Sequence, residues 1–204
     1  RRQKKTMVPP GTTARGPPLK ILVLGEAEAG KTAFIRQLAH GRFVAGYAAT
    51  SGVDFYLHEL RVDGTAVQLQ LWDVAGRESA RGRLAKVYAA DSRGALIVYD
   101  ITRPETFDTV VAWKTDLDAK ARRSDGAPLP CVLVGTKHDL ETAQADEDAL
   151  TRFCEDHGFA GWFDVSAKTG YNVDRAVAFL VERILVPDAA VSDPSGSYYS
   201  CAVQ

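Results

Sequence analysis

The chain has 204 residues, 46% of them hydrophobic and 25% charged, with a formal net charge of -1. These values fit one globular domain with a full hydrophobic core, and they give no electrostatic case for nucleic-acid binding as its main task. No apolar run approaches the roughly 20 residues that a membrane span requires, and the three scattered cysteines favour a reducing compartment over a disulfide framework.

Two segments flank the predicted domain, which runs from residue 19 to residue 186. Residues 1–18 place five Lys or Arg side chains among Pro, Gly and Thr, and they are predicted to form a disordered basic arm. For this arm we favour a solvated tail over a segment that contacts anionic lipid. Residues 187–204 are rich in Ser, Asp, Gly and Tyr and are predicted to be a flexible tail.

Between these segments, apolar runs alternate with helical patterns. Strands are predicted at 19–24, 55–62, 67–72, 95–99, 131–134 and 163–165, with Asp63-Gly64 as a hairpin turn. Helices are predicted at 31–40, 104–122, 146–157 and from residue 173 onward, after Asn172 as the cap. This order predicts an α/β fold, a mostly parallel six-stranded sheet with helices on both faces and one antiparallel edge strand.

A phosphate-binding motif follows the first predicted strand. Residues 25–32 read G-E-A-E-A-G-K-T and match G-x-x-x-x-G-K-[ST], in which backbone N–H groups surround the phosphates at a helix N-terminus. Lys31 is predicted to reach the β- and γ-phosphates, and the Thr32 hydroxyl to bind magnesium. A match by chance has a probability of roughly one per cent in a chain of this length. The motif predicts a nucleoside triphosphate but does not identify the base.

Three further motifs follow later strands, where open α/β sheets bind their ligands. They are D-V-A-G at 73–76, T-K-H-D at 136–139 and S-A-K at 166–168. The Asp139 carboxylate can accept two hydrogen bonds from the N1–H and 2-amino edge of guanine, and adenine lacks that donor pair. The sequence therefore predicts a guanine nucleotide.

In this order the motifs resemble the Ras superfamily over residues 19–186, which implies a P-loop Ras-like G domain. The run T-S-G-V-D-F at 50–55 is similar to Rab switch I, and W-D-V-A-G at 72–76 is similar to the Rab W-D-T-A-G. The segments 113–118 and 158–163, W-K-T-D-L-D and G-F-A-G-W-F, resemble the Rab branch that serves lysosome-related organelles.

The resemblance implies a role for each matching residue. Thr32, Thr50 and Asp73 would hold Mg²⁺, while Lys31, Gly76 and Arg77 would take part in catalysis. Phe43 would stack on the base edge and Tyr47 would close over the phosphates, although without the family both would be interpreted as buried aromatics. The implied contacts to GTP or GDP are Glu28, Ala29, Gly30, Lys31, Thr32, Ala33, Phe43, Tyr47, Thr50, Gly76, Thr136, Lys137, Asp139, Ser166, Ala167 and Lys168.

Three departures fall in the motifs that bind and hydrolyse nucleotide. Arg77 stands where the family usually has the glutamine that orients the attacking water. Glu28 adds a carboxylate to the phosphate loop, with its side chain either toward the phosphates or outward. Thr136 replaces the commoner asparagine, as in the Rho-type T-K-x-D that also binds guanine.

Two more departures concern partners and membrane. Switch II, at residues 78–83, lacks the usual aromatic, and Val87 replaces the tyrosine that would join Phe55 and Trp72 in the effector-binding triad. The chain ends in a C-a-a-X pattern at Cys201, which predicts prenylation. No Lys or Arg follows residue 187, so one lipid chain would give weak and reversible membrane attachment.

The function predicted from these features is a Rab-like GTPase that alternates between GDP and GTP states in membrane trafficking, with slow intrinsic hydrolysis. The alternative is a GTP-biased binding module with negligible hydrolysis, which Arg77 favours. A P-loop kinase or ATPase does not fit, because Asp139 selects guanine and the lid is missing. Expected partners are an exchange factor, an activating protein and effectors at the switch regions. The expected state is a monomer, prenyl-anchored on the cytosolic face of an endomembrane and exchanging with the cytosol.

Overall fold

The fold is built on one six-stranded sheet. The computed structural model describes residues 16–46, 49–62, 64–76, 84–140 and 146–185. The strands are β1 (Leu19–Leu24), β2 (Val53–Val62), β3 (Thr65–Val74), β4 (Gly94–Asp100), β5 (Cys131–Thr136) and β6 (Gly161–Asp164). Their order across the sheet is β2-β3-β1-β4-β5-β6, with only the β2–β3 pair antiparallel. The predicted sheet is confirmed.

Helices cover both faces of this sheet. They are α1 (Lys31–His40), α2 (Lys86–Ala89), α3 (Pro104–Phe107), α4 (Val110–Lys120), α5 (Glu147–His157) and α6 (Val173–Leu185). Alternate residues of β1 enter two separate cores because strand side chains point to opposite faces. Ile21 packs in the core that α1 and α6 cover, and Leu22 in the core that α4 and α5 cover. The predicted α/β layers are therefore present.

The helix predicted as continuous over residues 104–122 is wrong in its extent. The structure has two helices, and the second ends at Lys120. The Thr109 hydroxyl donates to the Thr106 carbonyl oxygen at 3.0 Å, which takes the acceptor that the Val110 N–H would use in an unbroken helix. Asp108 and Thr109 keep right-handed helical backbone, so the interruption lies in the hydrogen bonding.

The predicted ends of α5 and the predicted start of α6 are accurate. The Asp146 carboxylate accepts from the Ala149 N–H at 2.9 Å, and Gly158 ends the helix with left-handed backbone. Asn172 precedes α6, and its carbonyl oxygen accepts the Ala176 N–H at 3.0 Å. Within the described segments, no helix combines the length and apolarity needed to cross a membrane.

Parallel pairing gives the sheet two unlike edges. β1, β3, β4, β5 and β6 all run in one direction, so their carboxyl ends meet along one edge. Most of the predicted site residues follow these strand ends, whereas Phe43 follows α1 and Thr50 precedes the antiparallel strand β2. The sheet thus brings together motifs that are more than a hundred residues apart in the sequence.

Candidate nucleotide-binding site

The phosphate loop connects β1 to α1 in a turn that only glycine permits at its first position. Gly25 has φ +135, and a Cβ there would lie 2.1 Å from the Val98 carbonyl oxygen of β4. The loop therefore lies directly against the neighbouring strand, with α1 beginning at Lys31. The N–H groups of the first turn of α1 face the loop, as phosphate binding requires.

Lys31 is the buried cation of this loop. Its Nζ donates to the carbonyl oxygens of Gly25 at 2.8 Å and Glu26 at 2.6 Å. Burial lowers the pKa of Lys31 to about 8, while the negative charges of Asp73 and Glu26 act in the opposite direction. An anionic phosphate beside this ammonium would offset its desolvation.

Three oxygen-bearing side chains converge next to Lys31. The Thr32 hydroxyl donates to Asp73 Oδ2 at 2.6 Å and lies 3.0 Å from the Thr50 hydroxyl, which is itself 3.4 Å from Asp73 Oδ2. Asp73 is fully buried, and its Oδ1 has no hydrogen-bond partner among the described residues. Burial raises the pKa of Asp73, against the hydrogen bond from Thr32. A buried carboxylate with an unused oxygen and two hydroxyls fits Mg²⁺, which prefers few protein oxygens plus phosphate oxygens.

The segment after Asp73 approaches the phosphate loop closely. A Cβ at Gly76 would lie 2.2 Å from the Ala27 backbone nitrogen, so this position accepts only glycine. The Ala75 N–H donates to the Gly52 carbonyl oxygen at 2.9 Å, which joins the segment to the residues after Thr50. Gly76 therefore lies directly against the phosphate loop.

The predicted base-binding carboxylate belongs to a second cluster. Asp139 Oδ1 accepts from the Ser166 hydroxyl at 2.7 Å, and Oδ2 lies 3.4 Å from Lys168 Nζ. The hydrogen bond from Ser166, with help from Lys168, holds the pKa of Asp139 below its usual value. Ser166 is fully buried and Ala167 nearly so. The carboxylate is thus charged and fixed in orientation.

Thr136 and Lys137 connect the base cluster to the rest of the site. The Thr136 hydroxyl donates to the Ala29 carbonyl oxygen at 2.6 Å and lies 3.1 Å from the Tyr99 carbonyl oxygen. This bond ties the T-K-H-D segment to the phosphate loop. Lys137 has left-handed backbone, φ +67, and its Nζ pairs with Asp100.

A cavity of about 320 Å³ is lined on one side by the phosphate loop and α1, and elsewhere by residues 43, 44, 46, 49, 50, 76 and 137. Phe43 lines it and is 44% exposed, so the alternative of an ordinary buried aromatic is wrong for Phe43. The predicted residues on its wall are Glu28, Gly30, Lys31, Thr32, Ala33, Phe43, Thr50, Gly76 and Lys137. The unpredicted ones are Ala27, Arg36, Val44, Gly46 and Ala49.

Two charged residues near the site were not predicted. Asp100 ends β4 and pairs with Lys137, and Arg103 Nη1 lies 3.4 Å from Glu28 Oε2. The Glu28 side chain is 53% exposed, so its carboxylate points outward toward Arg103. A signal for Asp100 existed, because it lies at the carboxyl end of a buried strand like the other site residues. Nothing in the sequence pattern distinguishes Arg103.

Several predictions fall on residues outside the described part of the chain. They concern Tyr47, Arg77, switch II at 78–83, the turn residue Asp63, and Cys201 with its tail.

Ala29 and Thr136 lie behind the cavity wall, where they join the loop to the base cluster.

The aromatic surface beside the switches is described in part. Phe55 and Trp72 pack edge to face with ring centroids 4.5 Å apart, and Lys20 Nζ lies 3.5 Å from the centre of the Trp72 ring. Tyr88 lies 6.3 Å from Trp72, whereas Val87 is 70% exposed. At position 87 this surface therefore presents a small aliphatic side chain.

The sequence of the chain is similar to those of known proteins. The model of the Ras family matches residues 20–186, which include all the predicted phosphate, magnesium and base residues. Human Ras-related protein Rab-32 is 46% identical over 169 residues, 82% of this chain and 75% of that protein. Rab-32A of Dictyostelium discoideum is 41% identical, covering 86% and 81%, and rat Rab-7L1 is 36% identical, covering 88% and 89%.

Proposed function

The chain belongs to the Rab family of Ras-related small GTPases, in the branch of Rab-32, and on that premise we propose a guanine-nucleotide switch whose GTP state recruits effectors. The family and branch predicted from the sequence motifs are thereby confirmed. Rab-family membership gives the chain a role in regulating membrane trafficking. The particular compartment we propose is a lysosome-related organelle, as the two branch-specific segments suggest.

The observation that carries the proposal is the convergence of Thr32, Thr50 and Asp73 beside Lys31. In the proposed complex these three residues would hold Mg²⁺, which would supply positive charge to neutralise the charge that develops on the phosphate oxygens. Lys31 turns from the carbonyl oxygens it now contacts toward the β- and γ-phosphates. At the other end, Asp139 accepts from the N1–H and 2-amino groups of guanine.

For hydrolysis we propose in-line attack of water on the γ-phosphate, with slow intrinsic turnover. Gly76 offers its backbone N–H to the γ-phosphate, since its lack of a side chain brings this segment against the phosphate loop. Arg77 has donors only and cannot accept a hydrogen bond from the attacking water, as glutamine can. The water is therefore less well oriented than in relatives with glutamine.

The second candidate is a GTP-biased binding module with negligible hydrolysis, and Arg77 is the residue that favours it. In that case the off state depends on nucleotide exchange and partner availability. The magnesium-binding oxygens of Thr32, Thr50 and Asp73 favour the hydrolysing switch. We therefore place the GTPase first.

For partners we propose an exchange factor, an activating protein and effectors that bind the switch surface. We further propose that the protein is a monomer. Val87 in place of tyrosine suggests an effector with a bulkier side chain opposite this position. The C-a-a-X pattern at Cys201 supports a prenyl anchor on a cytosolic membrane face, without a basic second signal in the tail. Cell fractionation of wild type against Cys201→Ser, with mass spectrometry of the C-terminus, tests this anchor.

The main test is the nucleotide that co-purifies with the protein and its fate over hours. We expect stoichiometric guanine nucleotide, with bound GTP converted slowly to GDP in the presence of Mg²⁺. Bound GTP that persists unchanged would support the GTP-biased module instead. Recovery of adenine nucleotide, or of none after reconstitution with GTP and Mg²⁺, would contradict both candidates.

A further inference from the structure

A fully buried carboxylate lies behind the wall of the nucleotide cavity. Asp100 is the last residue of β4 and has no exposed surface. Its Oδ1 accepts from the Thr102 N–H at 3.0 Å and the Thr102 hydroxyl at 2.7 Å, and its Oδ2 accepts from Lys137 Nζ. Burial alone would raise the pKa of Asp100, but the hydrogen bonds from Lys137 and Thr102 hold it below its usual value. The group is therefore an anion at neutral pH.

The backbone around Asp100 is fixed as firmly as its side chain. The Asp100 N–H donates to the hydroxyl of buried Thr106 at 2.9 Å, and its carbonyl oxygen accepts from the Arg103 N–H at 2.9 Å. The Ile101 N–H donates to the Thr136 carbonyl oxygen at 3.2 Å, which fastens the end of β4 to the residue before Lys137. The carboxylate thus occupies a defined point relative to the T-K-H-D segment.

Lys137 is held at both ends. Its backbone is left-handed at φ +67, and its ammonium pairs with Asp100, while the side chain keeps 34% of its surface exposed and lines the cavity. With both ends fixed, the four-carbon stem has little freedom to leave the cavity wall. Because the Lys137 side chain is 34% exposed, its pair with buried Asp100 contributes little to folding stability.

We propose that Asp100 is a positioning residue for guanine nucleotide, which holds the Lys137 stem as a flat wall along the base and thereby slows nucleotide release. The proposal rests on the proposed function, since it concerns the same site. It differs from the motif assignments because Asp100 contacts the nucleotide only through Lys137. The carboxylate takes no part in the reaction.

The test is a double-mutant cycle on the rate of release of fluorescent GDP, using Asp100→Asn and Lys137→Met. Asparagine keeps an acceptor for Thr102 but loses the charge, and methionine keeps an unbranched side chain but loses the ammonium. We expect each single variant to release GDP roughly tenfold faster than wild type, within the range of coupling seen for contacting residues. The double variant should release no faster than Lys137→Met alone, because Asp100 acts through that residue.

Asp118→Asn is the matched control. It also breaks an aspartate–lysine pair, in this case with Lys114, but it lies on α4 and does not line the cavity. Its release rate should equal that of wild type. The acceleration of release by EDTA should be the same factor in wild type and Asp100→Asn, because the magnesium-binding oxygens are untouched.

Additive effects in the cycle, or wild-type release from Asp100→Asn, would overturn the positioning role. If Asp100→Asn does not fold, the test rests on Lys137→Met. Release of GDP from Lys137→Met at the wild-type rate would likewise overturn the positioning role. A wild-type protein that binds no guanine nucleotide would instead contradict the proposed function. The two failures are therefore distinguishable.

Discussion

The phosphate end and the base end of the candidate site differ in how their charges are satisfied. At the base end, Asp139 accepts from Ser166 and pairs with Lys168. At the phosphate end, Lys31 bonds only to carbonyl oxygens, and Asp73 keeps one buried oxygen without a partner among the described residues. The Asp139 carboxylate of the base end is paired within the protein. The charged groups of the phosphate end can still gain partners from a ligand.

This difference assigns a different role to each end. A carboxylate that its neighbours already orient needs little reorganisation on binding, so it discriminates between bases through hydrogen bonds that a wrong base leaves unmade. A buried cation and a buried carboxylate gain most from phosphate and Mg²⁺ and so dominate affinity. We expect base-end substitutions to change which nucleotide binds, and phosphate-end substitutions to change how tightly any nucleotide binds.

The largest effect is expected for Asp139→Asn. The amide presents one donor where the carboxylate had an acceptor, so xanthine should replace guanine as the preferred base. We expect the ratio of GTP to XTP affinity to fall on the order of a thousandfold. Competition binding with labelled GTP measures this ratio.

The matched control is Asp125→Asn, an exposed aspartate paired with Arg123 away from the site. It should leave the GTP to XTP ratio unchanged. If Asp139→Asn weakens both nucleotides equally, the base end does not select the base, and the contrast between the two ends disappears.

The next effect belongs to the phosphate end, in Thr32→Ala. The variant lacks the hydroxyl that lies between Asp73 and Thr50, so Mg²⁺ should lose one of its oxygen ligands. We expect GDP release on the order of a hundredfold faster with Mg²⁺ present, and little further acceleration by EDTA. Thr115→Ala, on the exposed face of α4, is the control. A variant that still responds to EDTA as wild type does would remove Thr32 from the metal site.

The sequence predicted the fold well because its signals are local and agree with one another. The residues of β1 from Ile21 to Leu24 form an unbroken apolar run, and all four are fully buried, as a central parallel strand requires. The error over residues 104–122 has a different origin. Thr109 competes for a backbone acceptor through its hydroxyl, and such a bond is one of several that threonine can make.

The candidate site was predictable where a motif fixes both residue type and spacing, as for Lys31 and Thr32. It was not predictable where charges meet only through the fold. Arg103 reaches Glu28 across 75 residues of sequence, and no spacing rule connects them. Asp100 lay at a strand end where it could have been considered, but its partner Lys137 becomes apparent only in the folded chain.

The third prediction concerns Arg77 and the rate of hydrolysis at the γ-phosphate. Arg77→Gln restores a side chain that can accept from the attacking water while donating to the transition state. We expect single-turnover GTP hydrolysis to rise roughly tenfold, about 1.4 kcal/mol of barrier, with GDP release unchanged. Arg77→Ala separates gain of glutamine from loss of arginine. An unchanged or slower rate in Arg77→Gln would mean that Arg77 is neutral or itself stabilises the transition state.

The smallest effect is expected at Arg103, whose guanidinium pairs with the Glu28 carboxylate and holds it away from the phosphate end. Glu28 has left-handed backbone, φ +66, in a loop that receives phosphate, and its carboxylate lies 3.4 Å from the guanidinium of Arg103. Exposed ion pairs contribute only about 0.2–1 kcal/mol, so the effect on folding should be small. The effect on binding arises because a released carboxylate can approach the phosphates and repel them.

We expect Arg103→Ala to release GDP about threefold faster, equivalent to about 0.7 kcal/mol. Two causes are possible, the freed Glu28 carboxylate or simply the lost positive charge, and Glu28→Gln separates them. In that background Arg103→Ala should have no effect if Glu28 is the cause, and the full threefold effect if general attraction of phosphate is the cause. Arg122→Ala, which loses a charge next to Gly126 and away from the site, should match wild type. The first outcome would show that Arg103 keeps the Glu28 carboxylate of the phosphate end away from the phosphates. The second would show that Arg103 acts only by attracting the phosphate charges of the ligand.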